Sequence, residues 1–144
     1  MARLYLKKTL SGFVPNDTPS IETAKRFKVG GIFRAEIVKP RSYQHHKMIM
    51  ALLTLTYENQ ELYEDFEMFR KAVALAAGHI EELTTVDGEI IRLPKSLNYD
   101  TLDEIEFTKV SGAMMSVCCR LLRDIGAEEL EAEVSRYADE NYAT

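Results

Sequence analysis

The stretch Lys39-Pro40-Arg41-Ser42-Tyr43-Gln44-His45-His46-Lys47-Met48-Ile49-Met50-Ala51-Leu52-Leu53 decides how this chain is read. Pro40 ends the segment before it, since a proline ring fixes φ and removes a backbone donor. Ser42 is a sound N-cap, able to accept from the free amides of a helix start. Ile49, Leu52, Leu53 and Tyr57, with Met48 and Leu55 at the margins, recur at helical spacing and predict a helix over about 43–58. Lys39, Arg41, His45, His46 and Lys47 crowd the start of that helix, where the dipole is already positive. Cations there are mildly unfavourable unless an anion sits among them. Ser42, the free amides and these cations make either a seat for a phosphate or carboxylate, or a solvated basic turn before a core helix.

Before this stretch, Ile32 to Val38 carries β-formers and predicts a strand, with Phe33, Ala35 and Ile37 on one face and Arg34 and Glu36 on the other. Residues 3–9 predict an edge strand, 11–20 a loop rich in Gly, Pro and Asn, and 21–27 a short helix capped by Ser20. Gly30-Gly31 lies outside any Gly-Lys-Ser/Thr or GxGxxG pattern, so it does not form a phosphate-binding loop.

After it, Leu62, Phe66, Phe69, Val73 and Ala76 predict a second helix over about 62–77, closed by Gly78. Residues 79–85 and 89–93 flank Val86-Asp87-Gly88, a strong hairpin signal. Thr101 and Glu104 have capping-box spacing and open a long helix to about Asp124, with Ile105, Val110, Met114, Val117, Leu121 and Leu122 as its apolar face. A final acidic helix over about 127–140 shows Leu130, Val134 and Tyr137 on one side. The expected fold class is α+β: a small antiparallel sheet with a β-hairpin, packed against about four helices in a single domain. Within it, 1–38 form basic N-terminal strands and loop, 39–126 a helical core with the hairpin, and 127–144 an acidic C-terminal helix.

Charge is unevenly shared. Residues 1–47 hold ten Lys/Arg against three acids, a balance of +7, and residues 48–144 hold eight against twenty, a balance of −12. Either the first part presents a basic face to a polyanion, or the two parts pack together and neutralise each other. Hydrophobic content of 46% and charged content of 28% fit a globular protein, and no apolar run approaches a membrane span. Residues 1–8 lack the hydrophobic region of a secretory signal, and the adjacent Cys118 and Cys119 are poorly placed to bridge each other. The expected location is therefore cytoplasmic.

Catalytic chemistry finds little support. His45 and His46 point about 100° apart on a helix and do not readily chelate one ion, and no His-Glu-x-x-His or Cys-x-x-Cys spacing occurs. Cys118 and Cys119 lie in a core-like helix, where thiols are usually inert. Neither enzyme activity, metal nor cofactor is expected; a metal-dependent nuclease using His45 or His46 is the remaining catalytic alternative. Nucleic acid fits better, since it needs spaced cations for phosphates and aromatics for unpaired bases. The candidate set is Arg34, Lys39, Arg41, Ser42, Tyr43, His45, His46 and Lys47, with Tyr43 either a stacking platform or a ring packed at the helix start.

The run from Lys39 to Leu53, followed by Phe69-Arg70, Ala77-Gly78, Pro94-Lys95-Ser96 and Glu106-Phe107, resembles an uncharacterised protein family of tailed bacteriophages and prophages. More distantly, residues 32–125 resemble the lambda-type Orf, or NinB, recombination mediators. Arg41, Ser42, Lys47, Ala51 and Leu53, then Ser96 with Glu106-Phe107, fall on matching positions. His45-His46 replaces a Gln-Asn pair of that family, and Met50 stands in place of a tryptophan. The resemblance implies a homodimeric, non-catalytic single-stranded-DNA-binding protein acting in recombination or replication in a bacterial host, beside host or phage recombination and replication proteins. The alternative is a protein–protein modulator, an inhibitor of a host defence or replication complex, working through the acidic surface of Glu128, Glu129, Glu131, Glu133, Asp139 and Glu140.

Overall fold

A computed structural model describes residues 2–40, 42–95 and 99–142, with the side chain of Thr101 outside that description. Arg41 and Ser96, both singled out above, lie outside the described residues. The elements run β1 (Leu6–Thr9), β2 (Gly12–Pro15), α1 (Thr18–Ala24), α2 (Tyr43–Glu58), α3 (Phe66–Ala77), β3 (Ile80–Thr84) and β4 (Ile90–Pro94). A single 3-10 turn (Tyr99–Thr101), α4 (Glu104–Leu122) and α5 (Ala127–Asn141) complete them. The fold class is α+β: β1–β2 and β3–β4 form two separate antiparallel ribbons, accompanied by five helices.

The chain divides into two compact units, residues 1–39 with 136–144, and residues 40–135. In the first unit, β1 pairs with β2 from Leu6 opposite Pro15 to Thr9 opposite Gly12. The β2 partner falls in a segment expected to be loop, because Gly12 and Pro15 disguise a strand of only four residues. Asp17, not Ser20, caps α1 by accepting from the Ser20 amide, and α1 therefore starts earlier than its apolar residues indicate. Ser20 is buried, and its hydroxyl accepts from the Tyr5 amide at 2.8 Å, tying α1 to the residues before β1.

One expected element is absent. Residues 31–40 form no strand or helix. The local preference of Ile32 to Val38 is for extended backbone, but a strand exists only where a second strand completes its ladder, and none is paired here.

The second unit is built on α2, whose Ile49, Ala51, Leu52 and Leu53 are buried. Helix α4 packs on both α2 and α3, adding Met114, Val117 and Cys118 to a core that includes Phe69, Val73 and Ala74. Asp65 caps α3 by accepting from the Met68 amide, so Leu62 lies outside the helix and is exposed rather than core. Gly78 closes α3 at φ 78°, in the left-handed region that glycine enters without a Cβ clash. The expected β3–β4 hairpin forms, with Ile80 opposite Pro94 and Thr84 opposite Ile90, and β4 packs on α3.

The start of α4 departs from the capping box. Asp103 is its N-cap, accepting from the Glu106 amide at 2.7 Å, while the Glu104 carboxylate meets His45. Ile105 faces solvent, and α4 ends at Leu122, just before the expected Asp124, with Arg123 at φ 62°. Helix α5 buries Leu130, Val134 and Ala138. No helix among the described residues is long and apolar enough to cross a membrane.

Candidate nucleic-acid interface

The start of α2 is where the sequence concentrates its cations. Ser42 caps it as expected, its hydroxyl accepting from the His45 amide at 3.3 Å, and the Ser42 amide donates to the Asp100 carbonyl at 2.8 Å. The side chains that follow turn inward. The His45 ring lies flat on Phe107, with centroids 3.9 Å apart and planes 4° from parallel. Its Nδ1 is 3.2 Å from the Leu102 carbonyl and its Nε2 2.9 Å from Glu104 Oε1, so both ring nitrogens face acceptors. His46 is buried beside Tyr43, with ring centroids 6.1 Å apart, and Tyr43 is half-buried. Lys47 is only 3% exposed.

The candidate set therefore does not form one exposed patch. His45, His46 and Lys47 are buried and present little surface to a phosphate backbone in this conformation. Ser42 is occupied as a cap. Arg34 and Lys39 belong to the first unit and are exposed, Arg34 donating to Glu36 at 3.2 Å.

A buried polar group that the sequence does not announce lies elsewhere in the second unit. Arg70 is held by Glu67 at 3.0 Å, while its Nε and Nη1 and the hydroxyl of the fully buried Tyr99 have no partner within hydrogen-bond geometry among the described residues. Burial pushes the Tyr99 phenol above its ordinary pKa, and the neighbouring Arg70 charge opposes that shift. His79 sits 5.5 Å from Tyr99 between ring centroids. Burial, assisted by the Lys95 charge, lowers the His79 pKa. These residues are spread from 67 to 99 in sequence and meet only through the packing of α3 with the hairpin and the 3-10 turn. Among the described residues no three His, Cys, Asp or Glu side chains are grouped as a metal ion would require.

The first unit carries many exposed cations and few acids. Arg3, Lys7, Lys8, Lys25, Arg26, Lys28, Arg34 and Lys39 are all exposed, against the three acids Asp17, Glu22 and Glu36 in residues 1–39. Aromatic rings are interleaved with them. Lys8 Nζ lies 4.9 Å above the centre of the exposed Phe13 ring, a cation–π arrangement. Phe27 and Phe33 meet edge to face at 4.8 Å and both keep exposed surface. A shallow open cleft of about 300 Å³ is lined by Ala2, Arg3, Thr23, Arg26 and Phe27. Two arginines and a phenylalanine around one cleft are the residue types that suit a phosphate joined to a planar base. Arg3 and Arg26 were not among the residues nominated from sequence. Their only advance sign is the excess of basic residues, because the cleft forms when α1 folds back on the residues before β1.

No known protein family, curated protein or solved structure matches the chain significantly.

Proposed function

We propose that this chain binds single-stranded DNA, without catalysis of its own, through the basic surface of residues 1–39. The observation that carries this reading is the Arg3–Arg26–Phe27 cleft within a surface whose eight cations are all exposed. Cations neutralise phosphates and release their counterions, while exposed rings accept unpaired bases without regard to sequence. Arg34 and Lys39 are further exposed cations of the same unit, whereas His45, His46 and Lys47 are buried. On this reading the setting is the cytoplasm of a bacterial host, in phage recombination or replication, as the resemblance to the Orf family implies.

The test is fluorescence anisotropy of a labelled oligo-dT with the purified chain at low salt. Saturable binding that weakens steeply with salt is expected. No binding at low salt refutes the proposal.

The protein–protein alternative draws on one observation: Glu128, Glu129 and Glu131 are exposed along the start of α5. A specific partner captured from host extract, lost in Glu128→Lys/Glu129→Lys/Glu131→Lys, together with absent DNA binding, supports that alternative instead.

A further inference from the structure

Buried hydrogen-bond donors collect at one place in the second unit without acceptors. Glu67 and Arg70 lie one turn apart on α3, and Tyr99 opens the 3-10 turn. The Arg70 side chain is 8% exposed and Tyr99 is fully buried. Even so, Nε and Nη1 of Arg70 and the hydroxyl of Tyr99 have no partner within hydrogen-bond geometry among the described residues. Glu67 accepts one bond, from Nη2, through a side chain that is itself 56% exposed. Folded proteins leave few buried polar groups unpaired, and a charged one is the costliest to leave so.

The hydrogens decide what can complete this cluster. Of the unpartnered atoms, Nε carries one hydrogen, Nη1 two and the phenol oxygen one. Arg70 is close enough to act on Tyr99 both as a charge and as a donor. Giving the phenol oxygen one guanidinium hydrogen still leaves three of the four in want of an acceptor. A water molecule accepts two at most and brings two hydrogens of its own to place, whereas an anion accepts all three and brings none. Charge points the same way. The ionised groups that act on Tyr99 and on its ring neighbour His79 are Arg70, Lys95 and Glu67, two cations against one carboxylate.

We infer that Arg70 and Tyr99 form an internal binding site for one monovalent anion of halide size. The single charge follows from the balance of Arg70 and Lys95 against Glu67, and the small size from the burial of every donor atom. A halide accepts from several donors at once without fixed directions, which suits a guanidinium and a phenol brought in from different elements. Bound there, it ties α3 to the turn that leads into α4. The site lies in the second unit, goes beyond the DNA reading and stands without it.

The test uses the full chain dialysed into sodium gluconate, with sodium bromide then replacing gluconate at constant ionic strength. Thermal midpoints of the wild type and Tyr99→Phe are followed together, so that general salt effects act on both alike. An anion that binds only the folded chain stabilises it, so the wild-type midpoint should gain on that of the variant as bromide rises. Tyr99→Phe keeps the ring and loses one donor to a charged acceptor, and should need about tenfold more bromide for the same gain. Arg70→Leu, where folded by circular dichroism, should lose the response. Crystals of the wild type in bromide should show an anomalous peak in contact with Arg70 and the Tyr99 hydroxyl. A difference between wild type and Tyr99→Phe that stays constant with bromide overturns the inference. So does a position beside Arg70 that is empty or holds water without anomalous signal.

Discussion

The His45 ring stacks face to face on Phe107, 62 positions later in the chain, at 3.9 Å and 4° from parallel. This contact joins the first turn of α2 to the first turn of α4 and turns a nominated surface cation into part of the protein's interior. The ring's polar edge reaches Glu104, whose carboxylate is 86% exposed while the His45 side chain is 7% exposed. The two halves of the arrangement therefore differ in worth. The His45–Glu104 hydrogen bond, with its carboxylate in solvent, contributes about 1 kcal/mol. Ring packing contributes more, and Phe107→Ala should cost on the order of 2 kcal/mol. Urea unfolding of Phe107→Ala and Glu104→Ala checks this order; an equal or larger loss in Glu104→Ala contradicts it.

Much of the second unit was legible because its signals are local. Ser42 caps α2, Asp87-Gly88 turns the hairpin and Gly78 ends α3, each through the conformation of one or two residues. The burial of His45, His46 and Lys47 was not legible, since their positions next to the apolar stripe of α2 suit either face. For His45, Phe107 and Glu104, far along the chain, decide it. The same contact explains the failed capping box, because Glu104 is engaged with His45 and Asp103 takes the cap. The strand expected at 32–38 was misread for the opposite reason: its residues are right, but pairing is not a property of one segment.

Stability should fall as pH is lowered below the ordinary histidine range, with His79 as one source. Its folded pKa is lowered, chiefly by burial, below the ordinary 6.5. As pH drops through 6.5 the unfolded chain takes up the proton first, and the stabilisation is lost through the folded pKa. Thermal unfolding from pH 7.5 to 5 should therefore show a smaller decline in His79→Gln than in the wild type. Parallel declines would exclude His79.

The two adjacent thiols should behave differently. Cys118 is buried and its pKa is pushed up to about 11 by burial, whereas Cys119 is partly exposed. Because the thiolate is the reactive form, iodoacetamide at pH 8 should add once to the native protein and twice after denaturation. Two rapid additions to the native state would show that Cys118 is open.

Gly78 carries a backbone requirement rather than a packing one. A Cβ there would meet nothing within 4 Å, yet φ is +78°. Gly78→Ala should therefore destabilise by about 1 kcal/mol, through conformation alone. Chemical denaturation measures it, and an unchanged midpoint would contradict that origin.

The central claim rests on Arg3 and Arg26, and the salt dependence of oligo-dT affinity tests it most directly. With single-stranded DNA each neutralised phosphate contributes about 0.7 to the slope of log affinity against log salt. Arg3→Ala/Arg26→Ala should weaken binding and reduce the slope by about 1.4, while His45→Ala, if folded, leaves the slope unchanged. A double variant with the wild-type slope, or a slope that falls only in His45→Ala, would contradict the placement of the site on the first unit.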